Sequence, residues 1–436
     1  MTTWPENVMW WHAYPLGFVG ATIRPEEPQT EVQHRLDRFE PWLDHLIGLG
    51  LNGLLLGPVF ASETHGYDTI DHFRIDPRLG DDADFDRLLA AARSRGVRVV
   101  LDGVFNHVGR AHPAFRELEQ HGASAPTADL FRARWDDAGA LETDVFEGHD
   151  ALVELDHSSE ATADLVVEVM NFWLGRGIDG WRLDAAYAMP PEFWARVLPR
   201  VRAEHPDAWF VGEVIHGDAA DIVQRSGLDS LTQYELWQGV WHGIVDGNLF
   251  ELNHAIERHV ALLETFAPQT FVGNHDVTRI ASAVGHDFVP HALAVLFSIA
   301  GIPSVYAGDE FGFTGDKEER LGGDDAVRPE FPAQPPADAD LDPAAERILQ
   351  THRALIAMRR RLPWLWRAHT DVLECSNTAL ALRTATGDGA VVALLNIGDD
   401  AVSLPIAGAA TVVVGDAELH DGHATVPARG FAVLTE

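Results

Sequence analysis

The sequence predicts a (β/α)8 TIM barrel followed by an antiparallel β-sandwich domain. Three observations point there. Apolar runs of strand length alternate with helix-length segments through eight strand–helix units in about 350 residues, the number and length such a barrel takes. The run G-L-L-L-G-P-V-F at 53–60 is apolar without a break, which suits a parallel strand covered on both faces. From about Thr370 the chain becomes a series of short β-rich runs parted by turn residues, as in a separate antiparallel domain.

The elements follow in order. Residues 9–14, apolar and aromatic, make the first strand, and 31–50 carry helical periodicity and end in glycine. The second strand lies in 53–60, a helix in 82–94 and the third strand in 97–101. The helix 159–176 stops at Gly177, the residue type that a left-handed C-cap wants. Only a short strand fits in 180–183. Helix 191–204, strand 209–212, a strand near 228–233 and a helix in 250–263 come next. Strand 270–273, helix 289–300, strand 304–306 and helix 343–361 complete the alternation.

The link after the third strand is too long for an ordinary strand–helix loop and is expected to form a small excursion over the barrel mouth. The chain therefore divides into a barrel (1–107 and 155–363), a short excursion (108–154) and a C-terminal β domain (364–436). Strands of that last domain are expected at 379–384, 390–396, 410–414, 424–427 and 431–434. A doubly wound open sheet is the alternative, but no G-x-G-x-x-G follows the first strand.

Composition excludes several functions. With 67 acidic against 32 basic residues the net charge is −35, the wrong sign for binding nucleic acid or an anionic membrane. Lys317 is the only lysine, which removes Schiff-base and P-loop chemistry elsewhere. Cys375 is the only cysteine, so neither an intrachain disulfide nor a thiolate metal site can form. No basic segment followed by an apolar run opens the sequence, and no apolar stretch is of membrane-spanning length. A cytoplasmic location is the expectation. Oligomeric state is not legible.

In a barrel of this kind the reactive residues gather at the C-terminal strand ends. Strand three ends in Asp102 and runs into Asn106 and His107; strand four ends in Arg182 and Asp184. Strand five ends in Glu213, and strand seven runs into Asn274, His275 and Asp276. Arg182 and Asp184 are two apart and so share a side of the strand. An arginine there fixes a carboxylate's direction and favours its charge. Taken alone, an Arg–Asp pair is as often structural as chemical. Several acids at strand ends can also hold a divalent metal, but barrel metal sites usually mix histidine and carboxylate ligands. Acids with aromatics suit a glycosidase better, where two carboxylates about 5–5.5 Å apart give a retaining double displacement.

The stretches V-V-L-D-G-V-F-N-H-V, D-G-W-R-L-D-A-A, F-V-G-E-V and F-V-G-N-H-D stand in this order along the chain. Together they resemble the four conserved regions of the α-amylase family, glycoside hydrolase family 13. H-G-Y-D-T-I-D-H-F and G-I-P-S-V-Y-A-G-D-E-F-G match as well. The resemblance spans the barrel; the C-terminal domain resembles the family in position and type only. It implies Asp184 as nucleophile, Glu213 as general acid/base and Asp276 as the third carboxylate. It further implies that Arg182 orients Asp184, that Asp102 supports Arg182 from below, and that His107 and His275 bind sugar hydroxyls. Tyr67 is implied as the stacking platform. Arg328, in V-R-P-E-F-P, resembles an arginine that meets the non-reducing end in some exo-acting members, or is a surface charge.

Tyr234, Trp237 and Trp241 after strand six either stack on acceptor sugars or are core, and His216 stands three after Glu213. The family's calcium-linked Lys-His pair beyond the nucleophile is replaced here by Tyr187 and Ala188. No cofactor, and no calcium requirement, is therefore expected. Ala185, after the nucleophile, leaves the linkage open. The expectation is a retaining hydrolase of short malto-oligosaccharides or related α-glucosides. A transglycosylase, or a disaccharide isomerase or phosphorylase using the same carboxylates, is the alternative. A non-catalytic sugar-binding protein is a more distant one, since all three carboxylates are present.

Overall fold

The computed structural model describes residues 4–26, 29–408 and 410–436, so the reading of the first three residues lies outside it. The eight parallel strands are β1 (Trp10–Ala13), β2 (Gly53–Leu56), β3 (Arg98–Gly103), β4 (Gly180–Leu183), β5 (Trp209–Gly212), β6 (Ser230–Leu231), β7 (Gln269–Phe271) and β8 (Ile302–Tyr306). They lie in the order β6-β5-β4-β3-β2-β1-β8-β7. The last gap is bridged in parallel by Thr232 and Gln269, where the Gln233 N–H donates to the Gln269 carbonyl at 2.9 Å. The ring is thus a barrel.

The period of two along each strand sorts its side chains. Trp10, Leu55, Val100, Trp209, Val211 and Ile302 fill the lower interior. Trp11, Leu54, Leu101, Trp181 and Phe210 point the other way, into the core shared with the surrounding helices. Continuing the same alternation turns Asp102, Arg182 and Glu213 inward. The apolar wall beneath them forces the polar groups up to the C-terminal mouth.

Helices at Asp82–Ser94, Pro191–Glu204 and Pro343–Arg361 begin and end as expected. Asp81 caps the first in a reciprocal capping box with Asp84. Gly177 takes φ 111° at the end of the helix Glu160–Arg176, where a Cβ would be strained. Strand β6 has two residues where six were expected. Two helices, Ala219–Ser226 and Tyr234–Val245, occupy stretches that sequence periodicity left without an element.

The segment after β3 leaves and returns through a short antiparallel ladder, His107–Gly109 against Leu152–Glu154. Between them lie the helix Pro113–His121 and a hairpin, Ala133–Trp135 with Leu141–Thr143. Val108, Phe115, Leu118, Phe131, Val153 and Leu155 give it a small core of its own. At the C-terminus a five-stranded antiparallel sheet faces a three-stranded one. Ala381, Val392, Leu394, Leu404, Val426 and Leu434 pack between the two sheets. Leu380, Leu382, Val391 and Leu395, on the opposite face, join the barrel core. No helix among the described residues is long and apolar enough to cross a membrane.

The core encloses histidines that burial keeps neutral. The pKa of His107 and His112 is pushed down to about 3, and that of His157, His259 and His291 to about 4. His12, His65, His72 and His352 shift the same way, again chiefly through burial. Below pH 6.5 the unfolded chain binds protons at these sites that the folded chain refuses. Their contribution is therefore complete above that pH and is lost as pH falls. Asp309, pushed up to about 7 by burial, works in the opposite sense, as do Asp102, Asp184, Asp229 and Glu154. The histidines outnumber these acids, so Tm is expected to fall between pH 6.5 and 4.5 at constant ionic strength. A calorimetric Tm that holds or rises over that window contradicts this balance.

Candidate active site

Strand register builds the site. Arg182 on β4 sits beside Asp102 on β3 and Val211 on β5. Since Asp102 and Arg182 both point inward, they meet: Arg182 Nη1 donates to Asp102 Oδ2 at 2.6 Å. Two residues beyond Arg182 and Val211, Asp184 and Glu213 rise on the same inward side. Arg182 Nη1 also donates to Asp184 Oδ1 at 3.1 Å, and Nη2 lies 2.7 Å from Glu213 Oε1. Asp276, beyond β7, reaches to 3.9 Å of the same guanidinium. One buried arginine therefore touches or approaches four carboxylates. The side chain of Asp102 is fully buried, while Asp276, 28% exposed, opens to the mouth.

That arrangement disfavours the metal reading on positive grounds, because a guanidinium occupies the centre a cation would need. Two clusters of potential ligand atoms occur among the described residues, His34–Asp81–Asp84 and His242–Asp246–Glu251. Neither includes a carboxylate of the mouth.

The acids are not equivalent. Burial pushes Asp276 up, but His275, Arg328 and Arg182 outweigh it and hold the carboxyl well below its usual range. Burial pushes Asp184 well up, and the neighbouring Glu213 charge adds to that while Arg182 opposes it. Sequence reasoning expected Arg182 to keep Asp184 ionised. The structure differs because burial, and then the Glu213 charge beside it, raise the Asp184 carboxyl more than Arg182 lowers it. Asp102 is likewise raised by burial against the pull of Arg182.

Glu213 accepts two hydrogen bonds. Tyr234 gives its hydroxyl proton to Oε1 at 2.9 Å, and the Ala185 N–H reaches Oε2 at 3.0 Å; the Arg182 guanidinium pairs with it as an ion beside them. Ala185 can do so because it adopts a left-handed backbone, φ 46°, which is uncommon without glycine. The residue expected to bear on linkage thus also aims a peptide N–H at Glu213.

His275 is fully buried and its Nε2 lies 2.9 Å from Asp276 Oδ2 and against the Tyr67 hydroxyl. The Tyr67 ring lies parallel to His275 at 5.6 Å, and its hydroxyl also donates to Asp102 Oδ2 at 3.1 Å. His107 is placed differently from expectation. Its Nε2 is 3.0 Å from the Tyr67 carbonyl and its Nδ1 3.2 Å from Asn106 Nδ2, so both ring nitrogens have protein partners. It braces the Tyr67 loop. Arg328 is no surface charge: it is 5% exposed, with Nη2 2.7 Å from Asp276 Oδ1 and Nε donating to the His275 carbonyl at 2.9 Å.

Sequence reasoning named Asn274 without giving it a role, and missed His12, Phe146 and Glu147. Asn274 accepts the Asp276 N–H and donates to the Tyr234 hydroxyl, both at 2.9 Å. His12, inward on β1, meets the His275 ring edge-on at 4.9 Å; strand alternation was the signal that could have found it. From the excursion, Phe146 stacks on His107 at 4.7 Å and Glu147 accepts from Tyr187 at 2.8 Å. Nothing in the sequence announces those two. Trp237 packs beside Tyr234 and Phe271 as partly buried core, while His216 is exposed next to Tyr187.

Comparison with known proteins places this geometry. The sequence model described as alpha amylase, catalytic domain, matches residues 41–352. A cyclomaltodextrinase of Geobacillus thermopakistaniensis (strain MAS1) is 27% identical over 437 residues, covering 92% of this chain and 71% of the relative. Neopullulanase 2 of Thermoactinomyces vulgaris is 28% identical over 426 residues, 91% and 70% of the two chains. The ligand-free cyclic alpha-maltosyl-(1→6)-maltose hydrolase from Arthrobacter globiformis shares the fold over 100% of both chains, with a TM-score of 0.82 and 24% identity. With the catalytic-domain match spanning well over half the sequence, the chain belongs to the α-amylase family of glycosidases.

Proposed function

We propose that this chain is a retaining glycosidase that cleaves α-glucosidic bonds of short malto-oligosaccharides by double displacement. The observation that carries this is the meeting of Asp184, Glu213 and Asp276 around one buried arginine at the barrel mouth. The names of the relatives, cyclomaltodextrinase and neopullulanase, support oligosaccharides as the substrate class.

Asp184 attacks the anomeric carbon while Glu213 gives its proton to the departing oxygen, leaving a glycosyl ester on Asp184. Water then attacks the same carbon, Glu213 takes its proton, and Asp184 leaves as carboxylate. The electrostatics support this order. The Glu213 charge is one of the forces that raise Asp184. When Glu213 is protonated that force vanishes, which shifts the balance at Asp184 towards the carboxylate that Arg182 favours. Asp276, held ionised by His275 and Arg328, stabilises the positive charge that builds on the sugar ring. Tyr67 and His275 form the platform, and Arg328 positions Asp276.

Proton NMR on maltotriose at early times tests this reading. Two inversions at carbon predict that the new reducing end appears first as the α-anomer. First appearance of the β-anomer contradicts it. Chromatography of the same digest separates hydrolysis from transfer, because longer products arise only by transfer.

A further inference from the structure

We propose that Tyr234 is a positioning residue for Glu213: its hydroxyl, itself held by Asn274, fixes Oε1 and so sets where the acid/base carboxyl points. The inference rests on the reading of Glu213 as acid/base. It begins from an unbroken chain of polar contacts. The Asp276 N–H donates to Asn274 Oδ1 at 2.9 Å, which fixes the amide so that Nδ2 faces the Tyr234 hydroxyl. Nδ2 donates to that hydroxyl at 2.9 Å. The hydroxyl has one proton, and with a donor already pointing at its oxygen that proton goes to Glu213 Oε1, 2.9 Å away. The backbone of one carboxylate is thereby linked to the side chain of another through two intervening residues.

Tyr234 cannot drift. It is 8% exposed, starts the helix Tyr234–Val245, and its ring meets Phe271 edge-on at 5.0 Å. Burial, then Glu213 and Asp276, push its pKa well up, so it stays a neutral donor. The charged and titratable groups facing this pair are Arg182 from β4, Asp184 and Tyr187 from the turn after it, Asp102 from β3, and Asp276 beyond β7. Only Arg182 is cationic, and it serves several acids. Among the described residues the phenol is therefore the one neutral side-chain donor that hydrogen-bonds Glu213. A hydrogen bond made to the charged form favours that form, so removing it favours the protonated carboxyl.

Tyr234→Phe keeps the ring and removes the donor. It is expected to lower kcat on maltotriose about tenfold with KM within about twofold, and to move the alkaline limb of kcat/KM up by about one pH unit. On 2,4-dinitrophenyl α-maltoside, whose leaving group departs without a proton, glycosylation should change less than about twofold. Equal losses on both substrates with an unmoved alkaline limb, or no loss at all, overturn the proposal and leave Tyr234 as packing. If Tyr234→Phe fails to fold, Asn274→Ala, which frees the hydroxyl but keeps the ring, is read by the alkaline limb of kcat/KM alone, because Asn274 also holds the Asp276 N–H: an upward move supports the proposal and an unmoved limb overturns it. Glu213→Gln is the control. If that variant hydrolyses maltotriose normally, the acid/base reading itself falls. If it is inactive while Tyr234→Phe is normal, only the role of Tyr234 falls.

Discussion

Replacing Asp184 with asparagine is expected to lower kcat by on the order of 10^4-fold or more, the scale on which loss of a nucleophile is felt. Stability should hold or rise. The wild-type carboxyl is raised by burial and by Glu213, so its charged form is disfavoured in the folded site. A neutral amide of the same shape removes that penalty. Activity and Tm therefore move in opposite directions, as they do where a strained charge serves chemistry. Glu213→Gln is expected to be equally inactive on maltotriose, yet to keep glycosylation of a 2,4-dinitrophenyl glycoside. Steady-state kinetics with thermal melts check both variants. Near-normal turnover of maltotriose by either one removes that residue from the mechanism.

Arg182→Met should be severe in another way. Its guanidinium contacts Asp102 at 2.6 Å, Asp184 at 3.1 Å and Glu213 at 2.7 Å. Without it these buried carboxyls have no cationic partner at the core of the site. Breaking a buried pair from one side costs about 3–5 kcal/mol. The pH dependence has a definite sign. In the variant Asp102 and Asp184, already raised by burial, rise further, so the folded state takes up protons that the unfolded chain does not, and stability grows as pH falls. The deficit against wild type is therefore expected to be large at pH 8 and to narrow towards pH 5. Urea melts at the two values measure it. Arg182→Lys should recover part of the stability but little activity, since a single ammonium cannot reach three carboxylates in a fixed fork. A deficit that is equal at both pH values contradicts the claim that Arg182 acts by compensating these charges.

Much of the site was legible because strand alternation and strand order are local rules. In D-G-W-R-L-D the two-residue spacing places Arg182 and Asp184 on one side. The run V-V-L-D does the same for Asp102 on the neighbouring strand. What could not be read depends on contacts between distant segments. The meeting of Tyr234 with Glu213 arises only when the start of one helix docks over the end of β5. That helix, Y-E-L-W-Q-G-V-W-H-G-I-V, itself escaped notice since two glycines weaken its helical signal. The structure supplies their reason: a Cβ on Gly239 comes within 2.6 Å of the Ala255 side chain on the next helix. Tertiary packing needs the residue that local propensity discourages. The strand His369–Cys375 went unread for a similar reason, being a polar edge strand. The commitment of both His107 nitrogens to protein partners is likewise a property of the folded loop around Tyr67 and is not written in N-H-V.

The atom to which the sugar is bonded midway through the reaction decides the mechanism. A 5-fluoro-α-glucosyl fluoride forms the glycosyl enzyme quickly and releases it slowly, so digestion and mass spectrometry can find the labelled residue. The predicted result is one added glycosyl group on the peptide carrying Asp184, absent from Asp184→Asn. A label on Glu213 or Asp276, or substrate turnover with no covalent adduct at any time, contradicts it.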